Sequence, residues 1–285
     1  KLQWAAGVFD GDGKDYSPAF GLAGATYRDK QPDGTNVRRH LDVGENPPGG
    51  AIVYYWLESQ PESAVELSIY DKAGVVIDNF SSAETEKPER RLPEKLGLNR
   101  FVWNLSYRAV QPLDPALATR DYEPLAREPK GRGPAAPPGQ YKVRLSVGEM
   151  RATTSFSLLK DPRVGTTQAE FNEQFELLRE LNTKRSELRT QVDRIRQIKR
   201  QLDDLVEKLP KGVRNAVSSA TSIRNKLEII ENVLVDAQRE SPRDILRRPA
   251  GLDDTLGDLM WCVTMSDTAP PIQTQKVSAE VVRKI

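Results

Sequence analysis

Three carboxylates crowd into "DGDGKD": Asp10, Asp12 and Asp15. Hard oxygen ligands at such short spacing are what calcium takes. The EF-hand loop pattern fails, however, because Lys14 stands at its fifth position, Asp15 at its glycine and Gly21 at its closing glutamate. A solvated turn is the plain alternative for these three residues. His40 is the single histidine and Cys262 the single cysteine. Those counts exclude a multi-histidine zinc site, a Cys–His metal cluster and an internal disulfide. His40, flanked by Arg38 and Arg39, offers a general base, but a lone surface or interface imidazole is the commoner use. Cys262 sits in "LMWCVTM", whose apolar neighbours predict a buried, inert thiol.

Other constellations are weaker. Carboxylate pairs of the glycosidase kind have no strand-end context among the 41 acidic residues, and no G-x-S-x-G, P-loop or strand-led G-x-G-x-x-G occurs. Between 184 and 200 seven basic side chains oppose Glu187 and Asp193, a polyanion-binding composition. No aromatic residue is interleaved there, and Asp203, Asp204 and Glu207 follow at once, so a solvated helix face with internal pairs is expected. Trp56, Trp103 and Tyr107 are candidates for a sugar-stacking platform. In "LGLNRFVWNLSY" (96–107) alternation instead groups Trp103 with Phe101 and Leu105, which predicts a core position. No cofactor is indicated.

The elements that must carry these residues change character along the 285-residue chain, which is long enough for more than one core. Residues 1–50 are rich in Gly, Asp and Pro and predict mostly loop, arriving from a preceding domain. Residues 51–160 hold short alternating runs bounded by Gly, Pro or Asn, which predict an antiparallel sandwich. "YDKAGVVID" predicts a hairpin turning at Ala73-Gly74. The Pro- and Arg-rich interval 108–139, with Tyr122, predicts a long exposed or partly disordered loop. Residues 161–285 predict a small helical bundle.

Within that bundle, Leu188, Val192, Ile195, Lys199, Leu202, Val206 and Leu209 keep steps of four and three, a heptad-like stripe over 167–209. Thr167 and Glu170 form an expected capping box. "LPKG" then breaks the helix. Val213, Val217, Ala220, Ile223, Leu227, Ile230 and Leu234 make the matching stripe of a returning helix, giving a long antiparallel helical hairpin. Shorter helices are expected over 251–266 and 270–285. The net charge of +1 gives no global attraction to nucleic acid or to an anionic membrane. No apolar run reaches the length of a membrane span.

"NPPGGAIVYYWL" (46–57), "VELSIYDKAGVVIDNFSS" (65–82), "LPEKLGLNRFVWNLSY" (92–107) and "PPGQYKVRLSVG" (137–148) come in that order. With "DPR" (161–163) and "SPRDILRRPAGLDDTLGDLMWCV" (241–263), they resemble the C-terminal part of bacterial exported proteins of the sortilin-type or Asp-box (BNR) repeat family. These carry an N-terminal β-propeller and are often described as glycosyl-hydrolase-like. The resemblance implies an immunoglobulin-like sandwich, similar to that of the flagellar hook-capping protein, followed by a helical bundle. It also implies an extracellular or periplasmic setting. It transfers no catalytic residue, because the family's binding surface lies on the propeller and no Asp-box occurs in this chain.

Three functions follow as expectations. The first is a non-catalytic interaction module, packing on its own propeller or on a protein partner. The second is part of a glycoside-processing enzyme whose site lies on that propeller. The third is a carbohydrate-binding sandwich.

Overall fold

The computed structural model describes residues 49–84, 90–117, 132–210, 213–236 and 250–285, together with the backbone of four strands before residue 49. The chain divides into two compact units, 1–49 and 50–285. In the first, β1 (Val8–Phe9), β2 (Asp15–Pro18), β3 (Ala25–Lys30) and β4 (Asn36–His40) pair in sequence as an antiparallel sheet. None of these four strands is among the sequence-based expectations for this loop-rich stretch. The strands are very short and carry no long apolar run to announce them.

The second unit is an antiparallel β-sandwich followed by a helical bundle on a long hairpin, as the sequence predicts. One sheet has the order β10-β9-β6-β7, made by β6 (Val65–Tyr70), β7 (Val76–Ser81), β9 (Gly139–Val147) and β10 (Met150–Leu158). The other pairs β5 (Ala51–Leu57) with β8 (Gly97–Trp103). Alternation sends Tyr55 and Leu57 of β5, and Phe101 and Trp103 of β8, onto Val65, Leu67, Ile69 and Val143 of the facing sheet.

Trp103 is fully buried. It packs near Tyr141 and Phe156 at ring-centroid distances of 5.8 and 6.1 Å, and its indole N–H donates to the Ser106 carbonyl at 3.2 Å. The Gly-Leu-Asn entry to this strand has a physical cause. Gly97 takes a φ of +88°, and the Asn99 side chain donates to the Lys95 and Gly97 carbonyls at 2.7 and 3.0 Å, closing the turn. The Ala73-Gly74 hairpin forms as expected, with Gly74 at a φ of +83°.

The bundle has α1 (Gln168–Lys208), α2 (Arg214–Leu234), α3 (Leu252–Thr264) and α4 (Ile272–Val282). Thr167 caps α1 in the expected box, its hydroxyl accepting from the Glu170 N–H while Glu170 accepts from the Thr167 N–H at 2.7 Å. At 41 residues α1 spans about 62 Å and serves as the spine. Asp253 bonds to Arg185 and Arg189 while the Val263 carbonyl meets Gln174, so α3 runs antiparallel to α1 along its first half. Glu231 and Arg224 of α2 meet α1 at Lys199 and Asp203, so α2 runs antiparallel along the second half. The two meet end to end, since a Cβ on Gly251 would lie 3.0 Å from the Leu234 carbonyl and the Asp236 N–H.

The start of the Pro-rich interval departs from expectation. Residues 107–117 lie along α1 as a strap. Tyr107 packs on Phe175 at 4.7 Å, the Gln111 N–H donates to Ser186 at 3.1 Å, and the Asp114 N–H donates to the Asp193 carboxylate at 3.1 Å. Arg200 reaches the Ala116 carbonyl at the strap's far end. Residues 133–136 double back on 105–107 through the N–H groups of Tyr107 and Ala136. Tyr122 lies outside the described residues.

Candidate functional site

The residues singled out for chemistry do not converge. Asp10 and Asp12 lie outside the described residues. Of Asp15 only the backbone is described, paired in β2 with Phe9 on one side and Arg28 on the other. His40 is likewise known only as backbone, opposite Thr26. Among the described residues no group of three or more His, Cys, Asp or Glu side chains could hold a metal ion.

Cys262 departs from the expected buried thiol, because its side chain is exposed. Leu259 and Val263, one helical turn apart, take the buried face of α3, and Trp261 and Cys262 are left outward. A polar cavity of about 380 Å³ lies beside Ser68, Asn79, Arg90 and Arg108 on the sandwich. Its two guanidinium groups are already held by the buried Asp78, Arg90 in a two-pronged contact at 2.6 and 2.9 Å. That arrangement braces β7 and presents no acid–base pair.

The basic stretch of α1 overturns its solvated-face expectation. Arg185, Arg189, Arg196 and Lys199 are buried. Both Arg185 and Arg189 grip the fully buried Asp253 with two bonds each, at 2.7–3.0 Å. Burial alone would push the Asp253 carboxyl up, but hydrogen bonds and charge from Arg189 and Arg185 hold it below the ordinary carboxylate range. Eleven residues after Arg185, Arg196 begins a second knot. Its Nε donates to the fully buried Glu231 at 2.7 Å, and Lys199 Nζ donates to the other oxygen at 2.9 Å. Space for the first knot comes from Gly257, where a Cβ would stand 2.9 Å from the Arg185 guanidinium. The signal was present in the sequence: Arg185 and Lys199 both fall on the four-three stripe, two heptads apart.

The same contacts alter the expected α2 stripe in part, since Ala220 is buried and Leu227 and Leu234 are half-buried as expected. Arg224 and Glu231 face α1, so Ile223 and Ile230 are exposed instead of filling the seam.

Of the platform candidates, Trp103 is core and Tyr107 is wedged between sandwich and bundle. Its hydroxyl is pushed up to about 12, chiefly by burial and then by the charge of Asp71. Trp56 is different, being 65% exposed on the outer face of β5. It aligns with Leu98 across the strand pair, and Tyr54 aligns with Arg100. With Ile52 opposite Val102, this outer face is an apolar and aromatic ladder bearing one guanidinium residue. The benzo edge of the Trp56 ring lies beside Gly97, its Cη2 3.6 Å from where a Cβ would be. Tyr54 and Leu98 are the neighbours that sequence reasoning passed over. Their i, i+2 and cross-strand relation to Trp56 was the available signal.

Among the described residues no helix is long and apolar enough to cross a membrane. Comparison with protein-family models, with curated proteins and with solved structures finds no match.

Proposed function

We propose that this chain is a non-catalytic interaction module of an exported assembly, packing on a propeller domain or on a separate protein partner. The observation that carries it is the outer face of β5 and β8. Trp56, Tyr54, Leu98 and Ile52 stand exposed together around Arg100, the mixture of aromatic, aliphatic and guanidinium groups that concentrates binding energy at protein interfaces. The family resemblance supplies the partner class, an Asp-box propeller, and the extracellular or periplasmic setting. The test is capture of a separately expressed Asp-box propeller by the full chain. Trp56→Ala is expected to abolish capture while leaving the melting temperature unchanged. Capture that is absent, or indifferent to Trp56, overturns the proposal.

A second reading has one observation of its own, the indole of Trp56, 65% exposed beside Gly97. Such a ring stacks on the apolar face of a pyranose, making the sheet a carbohydrate platform. Tryptophan fluorescence titrated with oligosaccharides separates the two. A saturable shift lost in Trp56→Ala supports the sugar, and a flat response removes it.

A further inference from the structure

Among the described residues, none covers a groove along the distal half of the helical hairpin. On α1, Arg196, Lys199 and Asp203 point at α2, as their bonds to Glu231 and Arg224 fix. At roughly 100° per residue, Ile198, Leu202, Leu205 and Leu209 then share one flank of the seam, while Asp193 and Arg200 lie on the other. On α2 the seam positions are Arg224 and Glu231, so Ile223 and Ile230, each one residue earlier, share a flank opposite Glu228. Because the helices are antiparallel, the two apolar flanks fall on the same side of the hairpin. They form one trough. Leu205, Ile223 and Ile230 are each about half exposed in it, at 50, 49 and 49%.

Two features of the fold define what belongs there. The strap occupies the opposite side through Asp193 and Arg200. On the trough side the proximal half of α1 is already filled by α4. Gln275 bonds Glu173, and Val281 shares the core cluster with Leu181. The short connection 265–271 turns α4 back from antiparallel α3, so α4 runs parallel to α1 and in line with the open trough. The trough is therefore the continuation of an existing helix-binding groove, extending about 17 Å from Ile198 to Leu209.

Its rim is basic, with exposed Arg194 on α1 and Lys226 on α2. Asp203 lies on the seam itself, bonded to Arg224, and the other acids of this half, Asp204, Glu207 and Glu228, lie toward the other side by the same helical spacing. A second copy of this chain would bring the same basic rim against it, and like charges oppose that pairing.

We propose that this trough is the docking site for an amphipathic helix of a protein partner, with Leu or Ile along its buried stripe and Glu or Asp on both flanks. The proposal deepens the interaction-module reading but stands on a surface separate from Trp56.

The test titrates the full chain with two fluorescent synthetic peptides sharing a Leu/Ile heptad stripe, one with Glu and one with Lys at the flanking positions. Expected is binding of the Glu peptide at least about tenfold tighter than the Lys peptide, weakening as salt is raised. Ile230→Asp should weaken it by about tenfold or more at an unchanged melting temperature. The double change Arg194→Glu with Lys226→Glu should invert the preference. Equal binding of both peptides overturns the proposal, as does binding that survives Ile230→Asp. Light scattering showing a dimer that Ile230→Asp converts to monomer also overturns it, since the occupant is then a second copy. Trp56→Ala should leave peptide binding intact, so failure at the sheet face and failure at the trough are told apart.

Discussion

The sandwich and the helical seam bury their interiors by opposite chemistry. Between the sheets the interior is Trp103, Leu67, Ile69, Val65 and their neighbours, and the polar Asn99 serves a turn at the rim. Along α1 the interior alternates Leu181, Leu188 and Val192 with two ionic knots, Arg185–Asp253–Arg189 and Arg196–Glu231–Lys199. Apolar packing stabilises through area and tolerates repacking. A buried ion pair gives little net stability over an apolar replacement but penalises every wrong alignment, since any slip strands a charge without a partner. The sheets have strand pairing to set their register. Two long helices have only their seam, and this seam sets register with charge.

Removing one acid should break that arrangement most severely. Asp253→Ala takes their shared carboxylate from two buried guanidinium groups and should cost about 5 kcal/mol by chemical denaturation, at the upper end for a broken buried pair. Trp103→Ala should cost about 4 kcal/mol through cavity formation, and that loss should be independent of pH.

The pH response separates the regions further. Asp253 has its folded pKa depressed, so its contribution is complete above the unfolded value of about 4 and is lost as pH falls below that toward the folded value. Denaturation midpoints followed downward from pH 5 should fall less steeply in Asp253→Ala than in the parent. Next in size, Gly257→Ala should cost about 1–3 kcal/mol by crowding Arg185, with no counterpart in the sandwich. The smallest effect sharpens the contrast most. Replacing the second knot by Lys199→Met, Arg196→Leu and Glu231→Leu together should leave stability within about 1 kcal/mol or raise it. Amide exchange along α2 should then report looser alignment.

Much of the fold was legible because its signals are local. Alternation in 51–57 and 97–103, the Ala73-Gly74 turn, the Thr167–Glu170 cap and the break at Pro210 each act within a few residues. The ionic knots were not legible in the same way, since their partners are 32 to 68 residues apart. A run of Lys and Arg on a helix has the same composition whether water or a distant carboxylate receives it. Ile223/Arg224 and Ile230/Glu231 are adjacent alternatives for one seam, and hydrophobicity favoured the pair that the contacts with α1 turn outward. Cys262 followed the same rule in reverse, its apolar neighbours lying on two different faces of α3. The exposed ladder at Trp56 could be named residue by residue, but its exposure depends on how few strands that sheet has.

The end-to-end meeting of α2 and α3 along one spine carries a consequence for how this molecule can change length. Both anchors of alignment, at Asp253 and Glu231, sit near the middle of α1, and everything beyond Lys199 hangs from them. Excising the seven residues 200–206 from α1, matched by the facing seven, 222–228, from α2, keeps the remaining side chains on their own faces. Removing three or four turns the tip out of phase. The distal hairpin is thus a modular extension, free to lengthen or shorten by whole heptads while the rest of the chain stays as it is.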